Sequence, residues 1–189
     1  MRIVDGVLEE IDESDIVDSV CIIPDGVKKI DYAVFFENMN LKRIDIPDSV
    51  TEIGDEAFCG CAALKSVRMS SNVKVIPYEC FQNCVSLESI DLPYSIEVIE
   101  DNAFDGCSSL ENIKLPGKIK KLNASFRFCE SLVSVEIPNS VVEIDMYAFA
   151  DCTSLESVIM SDNVKVIPIS SKIPINQIHC ELLKVQDLF

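Results

Sequence analysis

Glu88–Leu110, ESIDLPYSIEVIEDNAFDGCSSL, is the stretch that decides the fold of this chain. Apolar residues stand at Ile90, Leu92, Ile96, Ile99, Phe104 and Leu110, with mostly polar residues between them, and the same columns return in the stretches before and after. The clearest marker is Cys107. It is one of five cysteines, Cys61, Cys84, Cys107, Cys129 and Cys152, spaced by 23, 23, 22 and 23 residues, each followed three positions later by a leucine. A fixed period of this length marks a solenoid, because one such unit cannot bury its own apolar face and must stack on its neighbours.

Within a unit, the first aliphatic pair recurs as Cys21 and Ile23, Ile44 and Ile46, Val67 and Met69, Ile90 and Leu92, Ile113 and Leu115, Val135 and Ile137, Val158 and Met160. Alternation of this kind predicts a short strand with one face inward. A proline follows at Pro24, Pro47, Pro93, Pro116 and Pro138, replaced by Ser70 and Ser161 in two units. Proline has no amide donor, so it ends strand pairing and the chain turns there. Eleven residues further on, or ten in the unit with one residue deleted, comes a column of Phe35, Phe58, Phe81, Phe104, Phe126 and Phe149. Stacked rings at these positions would each remove about 150–250 Å² from water. They are read as core.

The pattern in Leu41–Leu64, LKRIDIPDSVTEIGDEAFCGCAAL, resembles the BspA-like branch of the leucine-rich repeat family, and the opening DGVLEE of residues 5–10 resembles the segment that often precedes its first repeat. The resemblance implies a right-handed leucine-rich repeat solenoid, a β-dominated relative of the α/β horseshoe class. It would carry a parallel sheet along one face and about seven repeats of 22–23 residues. Residues 1–18 would form an acidic cap, 19–170 the repeats, and 171–189 a degenerate repeat or second cap. The resemblance further implies non-enzymatic protein recognition, as in surface adhesins that bind host proteins, and it lends no catalytic residue. In such repeats the column of Asn38, Cys61, Cys84, Cys107, Cys129 and Cys152 faces inward and satisfies backbone groups of adjacent turns. Cys180 is expected to extend that ladder.

Composition narrows the partners. The chain has 189 residues, 48% of them hydrophobic, with a formal net charge of −16, and residues 1–18 hold seven acids against Arg2. Nucleic acid and anionic lipid would be repelled, and no apolar run is long enough to span a bilayer, so neither nucleic acid binding nor membrane insertion is expected. The opening Met-Arg-Ile-Val-Asp leads into acids instead of an apolar stretch, so a secretion signal is not expected here. Cell surface or secreted placement follows from the resemblance. A cytoplasmic scaffold or effector, and a structural module that self-associates through its terminal coil, stand beside it.

The nine cysteines are expected to be reduced, since parallel in-register side chains do not converge on one another and a buried thiol behaves as a small hydrophobe. Cys59, in a variable column with Phe36, Gln82, Asp105, Arg127 and Ala150, is expected to meet solvent. No metal or other cofactor is expected. Cys59 and Cys61 form a C-x-C pair without a second pair at zinc-site spacing, and His179 is the only histidine, adjacent to Cys180.

The outward side of the first strand is the candidate partner-binding face. One column reads Asp45, Arg68, Asp91, Lys114 and Glu136 between Ile22 and Ile159, alternating in charge sign, and beside it run Arg43, Ser66, Ser89, Asn112 and Ser134, then Ser157. Unlike charges on adjacent strands would attract along the sheet, so the column serves either strand register or recognition. Ser66–Pro77, SVRMSSNVKVIP, nearly repeats as Ser157–Pro168, SVIMSDNVKVIP, which points to growth by block duplication. At the front of the stack Ile3, Val4, Val7 and Leu8 are expected to close the first coil; at the back Leu183, Val185, Leu188 and Phe189 are expected to cover the last one.

Overall fold

Each coil of about two dozen residues makes two short strands and one corner. The computed structural model describes residues 1–145 and 147–165, together with the backbone of Ile178 and His179. A hairpin opens the chain, β1 (Arg2–Val4) against β2 (Val7–Glu10), closed by Asp5 and Gly6, both with positive φ. A two-residue Asp-Gly loop supplies the left-handed backbone that matches strand twist. One turn of 3-10 helix, Glu13–Asp15, follows, with Asp12 accepting from the Ser14 amide as its cap.

The coils then run as β3 (Val20–Ile22) with β4 (Lys29–Ile30), β5 (Arg43–Asp45) with β6 (Glu52–Ile53), β7 (Ser66–Arg68) with β8 (Val75–Ile76), β9 (Ser89–Ile90) with β10 (Val98–Ile99), β11 (Asn112–Ile113) with β12 (Lys121–Leu122), and β13 (Ser134–Glu136) with β14 (Glu143–Ile144). β15 (Ser157–Ile159) begins the next coil and β16 (Ile178–His179) pairs with it in parallel. The odd strands from β3 onward, joined at the end by β16, form the expected parallel ladder in two hydrogen-bonded sheets, β3-β5-β7 and β9-β11-β13-β15-β16. The even strands form a second parallel ladder, with β2-β4-β6, β8-β10 and β12-β14 paired. This second ladder goes beyond the single sheet face anticipated above. Its inward residues, Ile30, Ile53, Ile76, Ile99, Leu122 and Ile144, are all buried.

Proline makes the bend between the two ladders. The carbonyls of Pro47, Pro93, Pro116 and Pro138 each accept from the amide three residues on, at 3.0–3.3 Å, closing a β-turn. In the third coil Ser70 stands in for proline: its hydroxyl donates to the Val50 carbonyl at 2.6 Å and accepts from the Asn72 amide, so this buried polar group is satisfied.

At the corner, the phenylalanines stack as a continuous column with ring centroids 5.1–5.7 Å apart and interplanar angles of 2–21°. The residue just before each ladder position, Glu37, Gly60, Asn83, Gly106, Phe128 and Asp151, takes a left-handed φ of 52–74°. That reversal aims the next side chain into the stack. Glycine meets the requirement without strain at residue 60 and residue 106, whereas Glu37 and Phe128 adopt a conformation rare for their type. At the front, Leu8 is fully buried on the first coil, but Ile3 and Val4 are 40% and 44% exposed, so the outer hairpin strand does not close the stack as expected. The expectations for Leu183, Val185, Leu188, Phe189 and Cys180 fall outside the described residues.

Candidate partner-binding face

The inward row is built first, because it fixes what faces out. Each ladder thiol donates to a phenylalanine carbonyl of the preceding coil: Cys61 to Phe35, Cys84 to Phe58, Cys107 to Phe81, Cys129 to Phe104 and Cys152 to Phe126, at 3.0–3.3 Å. Asn38 opens the row by accepting from the amides of Asn40 and Leu41, both at 3.0 Å. The eight described cysteines are free. Burial pushes the Cys21 thiol up to about 11 and Cys61 to about 12. Desolvation also raises Cys80, Cys84 and Cys107. A thiol held protonated in this way is a poor nucleophile and a poor metal ligand.

Cys59 corrects one expectation. It is 6% exposed, not solvent-facing, and its thiol lies 3.7 Å from Gln82 Oε1 of the next coil. Burial and the neighbouring Glu79, Glu56 and Glu37 push its thiol up to about 11. Its sulfur and the carboxylates of Glu56 and Glu79 lie within 4.8 Å of one another. Tyr32 donates to Glu56 and the Asn102 amide to Glu79, so both carboxylates already have protein partners.

On the outward side of the first ladder, strand register aligns Arg43 with Ser66, Ser89 with Asn112, Asn112 with Ser134, and Ser134 with Ser157. Asp45 stands opposite Arg68. All ten candidate residues are exposed except Asp45, which is half-buried. The expected charge ladder does not form: Arg43 grips Asp45 of its own strand through two hydrogen bonds of 2.9 Å, and Arg68 donates to the Ile46 carbonyl at 3.3 Å. Among the described residues no ion pair joins Asp91, Lys114 and Glu136. Two of those three lie one residue beyond the ends of β9 and β11, where strand pairing has stopped.

Opposite charges do meet across coils on the second ladder, where register places Lys29 opposite Glu52 at 2.7 Å and Lys121 opposite Glu143 at 2.8 Å. The sequence carried that signal in the column Lys29, Glu52, Val75, Val98, Lys121 and Glu143. On the first ladder, where the strands shorten, a shallow groove of ≈ 750 Å³ opens between Leu92, Tyr94, Lys114, Pro116, Ser134 and Glu136, and Asn112 also lines it. Tyr94, on its rim, is 71% exposed. The groove thus brings together Asn112, Lys114, Ser134 and Glu136, while Arg43, Asp45, Ser66, Arg68, Ser89 and Asp91 lie outside its lining. Among the described residues no helix is long and apolar enough to cross a membrane.

Residues 18–126 and 122–171 match the family model of the BspA type leucine rich repeat region, in six copies. No curated protein matches the chain. Among solved structures it is similar to a leucine-rich repeat protein from Bacteroides ovatus, with 30% identity over 77% of this chain and 41% of that one and a TM-score of 0.67. It is also similar to a leucine rich cell surface protein from Faecalibacterium prausnitzii, with 35% identity over 76% of this chain and 32% of that one and a TM-score of 0.54. A leucine-rich repeat protein from T. pallidum gives 32% identity over 74% of this chain and 57% of that one, with a TM-score of 0.53. The chain therefore spans 32–57% of the length of these three structures.

Proposed function

The chain belongs to the BspA-type leucine-rich repeat family, and from that premise we propose that it is a non-enzymatic module that recognises a protein partner with the outward side of its first ladder. In its finer form the reading makes the partner a host protein, met at the cell surface or after secretion. The observation that carries it is the groove across β11 and β13, bounded by Leu92 and Tyr94 just past the end of β9. Here strands shorten, an aromatic ring stands in solvent, and hydroxyl, amide and charged groups line an open hollow without being consumed by contacts to each other. Solenoids offer long surfaces of this kind because each coil adds one row of side chains to the same face. The similarity to a cell surface protein of Faecalibacterium prausnitzii supports the placement.

The test is a parallel pull-down from host extracellular matrix and host cytosol, followed by the same measurement on a Ser134→Trp, Glu136→Trp double variant, at two residues that line the groove. Both side chains are exposed, so the fold should persist. The expected result is a partner from the extracellular matrix whose affinity drops in the double variant. Unchanged affinity with a native circular dichroism spectrum eliminates this face, and a partner found only in cytosol eliminates the surface placement.

A further inference from the structure

The groove on the first ladder does not end there. Gly117 lines both it and a second hollow of ≈ 500 Å³ around the corner, bounded by Val98, Lys118, Lys120 and Lys121. The segment joining the two hollows, residues 114–121, reads KLPGKIKK and holds four of the chain's 16 basic residues with no acid, in a chain of formal net charge −16. The equivalent bends elsewhere hold fewer: residues 24–30 (PDGVKKI) carry two lysines beside Asp25, residues 70–76 (SSNVKVI) carry one, and residues 47–53 (PDSVTEI), 93–99 (PYSIEVI) and 138–144 (PNSVVEI) carry none. Four lysines with no acid in eight residues thus mark this coil, against at most two basic residues in the equivalent stretches, such as 22–29 (IIPDGVKK) and 68–75 (RMSSNVKV).

The four ammonium groups are differently engaged. Lys121 pairs with Glu143, and Lys118 stands 5.1 Å over the ring of Tyr94. Lys114 and Lys120 are exposed and make no ion pair among the described residues. Tyr94 lies over the bend, its ring 3.6 Å from where a Cβ at residue 117 would stand, which is ordinary van der Waals distance. Leu92 and Pro116 give the hollow an apolar floor, and the acids lining it are Glu136 on one side and Glu97 on the other.

We propose that this corner, from Lys114 to Lys121 with Tyr94, binds an extended acidic segment of a partner protein, its carboxylates on the lysines and its apolar side chains on Leu92, Tyr94 and Pro116. The inference rests on the protein-recognition reading and specifies the partner's chemistry. Charge complementarity selects the occupant. A nucleic acid gains affinity by neutralising phosphates along its length, and the acidic surface on both sides of four lysines opposes that. A short acidic peptide needs only the local patch, and its amides can bridge the polar groups of Asn112 and Ser134.

The experiment uses a fluorescein-labelled peptide of glutamates interspersed with leucines, and the same peptide with lysine for glutamate, followed by anisotropy at low and physiological salt. The glutamate peptide should bind, weaken as salt rises, and lose about tenfold or more in affinity in Lys118→Glu, Lys120→Glu, while the lysine peptide stays free. Lys114→Gln, Lys120→Gln, which touches only exposed groups, should give a smaller loss. Native-like variants that bind the glutamate peptide as well as the parent overturn the proposal. So does tighter binding of a single-stranded oligonucleotide than of the peptide, or a sedimenting dimer that the lysine variant breaks. A pulled-down partner lost in the Ser134, Glu136 variant but indifferent to the lysine variants overturns this inference and leaves the first-ladder reading standing. The reverse pattern overturns that reading and keeps the lysine corner.

Discussion

The inward phenylalanine and cysteine rows and the outward columns of the first ladder lie on the same coils and obey opposite rules. Inside, six rings and five thiols repeat with the same contact at every step, ring on ring and thiol on carbonyl. Outside, charge sign and size change from one strand to the next, and neighbours on adjacent strands make few contacts. The reason is geometric. An inward side chain is a wall for two coils, so a change in one disturbs both, whereas an outward side chain answers only to solvent or a partner. The fold is held by what the coils share, and recognition has to sit in what they do not, such as the lysine bend of residues 114–121.

The largest effect should come from stressing the whole inward row at once. Burial raises Cys61 to about 12 and holds Cys80, Cys84 and Cys107 well above the ordinary 9.0. Because the folded values are raised, the contribution of these groups is fully present below pH 9. It is lost as pH rises from there toward the folded values, since the unfolded chain gives up thiol protons that the folded chain keeps. At pH 10 each such thiol should cost on the order of 1 kcal/mol of stability, so several together should cost several kcal/mol. Urea denaturation under reducing conditions at neutral pH and at pH 10 measures this. Equal stability at the two would mean that the thiols are open to solvent, and the contrast between inside and outside would fail.

A single break in the row should come next. Phe81→Ala removes a ring stacked on Phe58 and Phe104 and should cost about 3–5 kcal/mol through lost transfer energy and the cavity left behind. Phe35, stacked on Phe58 alone among the described rings, should cost less on truncation, by about 0.5–1.5 kcal/mol for the missing ring pair. Chemical denaturation of the two variants compares them, and equal losses would show that the rings act one by one and not as a column.

How much of this was legible in the sequence follows the same division. The phenylalanine and cysteine columns repeat one residue type at a fixed period, and a row that must fit its own copy above and below leaves that mark. The second ladder was harder to see: its strands are two residues long, and its outward column changes between lysine, glutamate and valine. Cys59 misled because its cover comes from the next coil, where Gln82 and Glu79 close over it, and a column read within one coil does not show that. The alternating charges on the first ladder were visible but their pairing was not. Arg43 reaches a bidentate partner within its own strand, and Asp91 and Lys114 lie past the ends of strands too short to hold them opposite one another. Nothing in the charge column itself announces that β9 and β11 stop early.

The smallest effect belongs to the outer surface of the second ladder, and it sharpens the comparison from the other side. Lys121 and Glu143 stand directly opposite in register at 2.8 Å, but their side chains are 44% and 45% exposed. A double-mutant cycle of Lys121→Ala and Glu143→Ala should give a coupling of about 0.2–1 kcal/mol, shrinking as salt screens it. Pairing with Glu143 raises Lys121 above the ordinary lysine value of 10.5. The contribution is therefore present below that pH and lost as pH rises past it, so it is constant across the range in which the inward thiols begin to fail. The alkaline loss of stability should accordingly be the same in Lys121→Ala as in the parent between neutral pH and pH 10. A variant that flattened the curve would place the pH-sensitive group on the surface and not in the row of sulfurs inside.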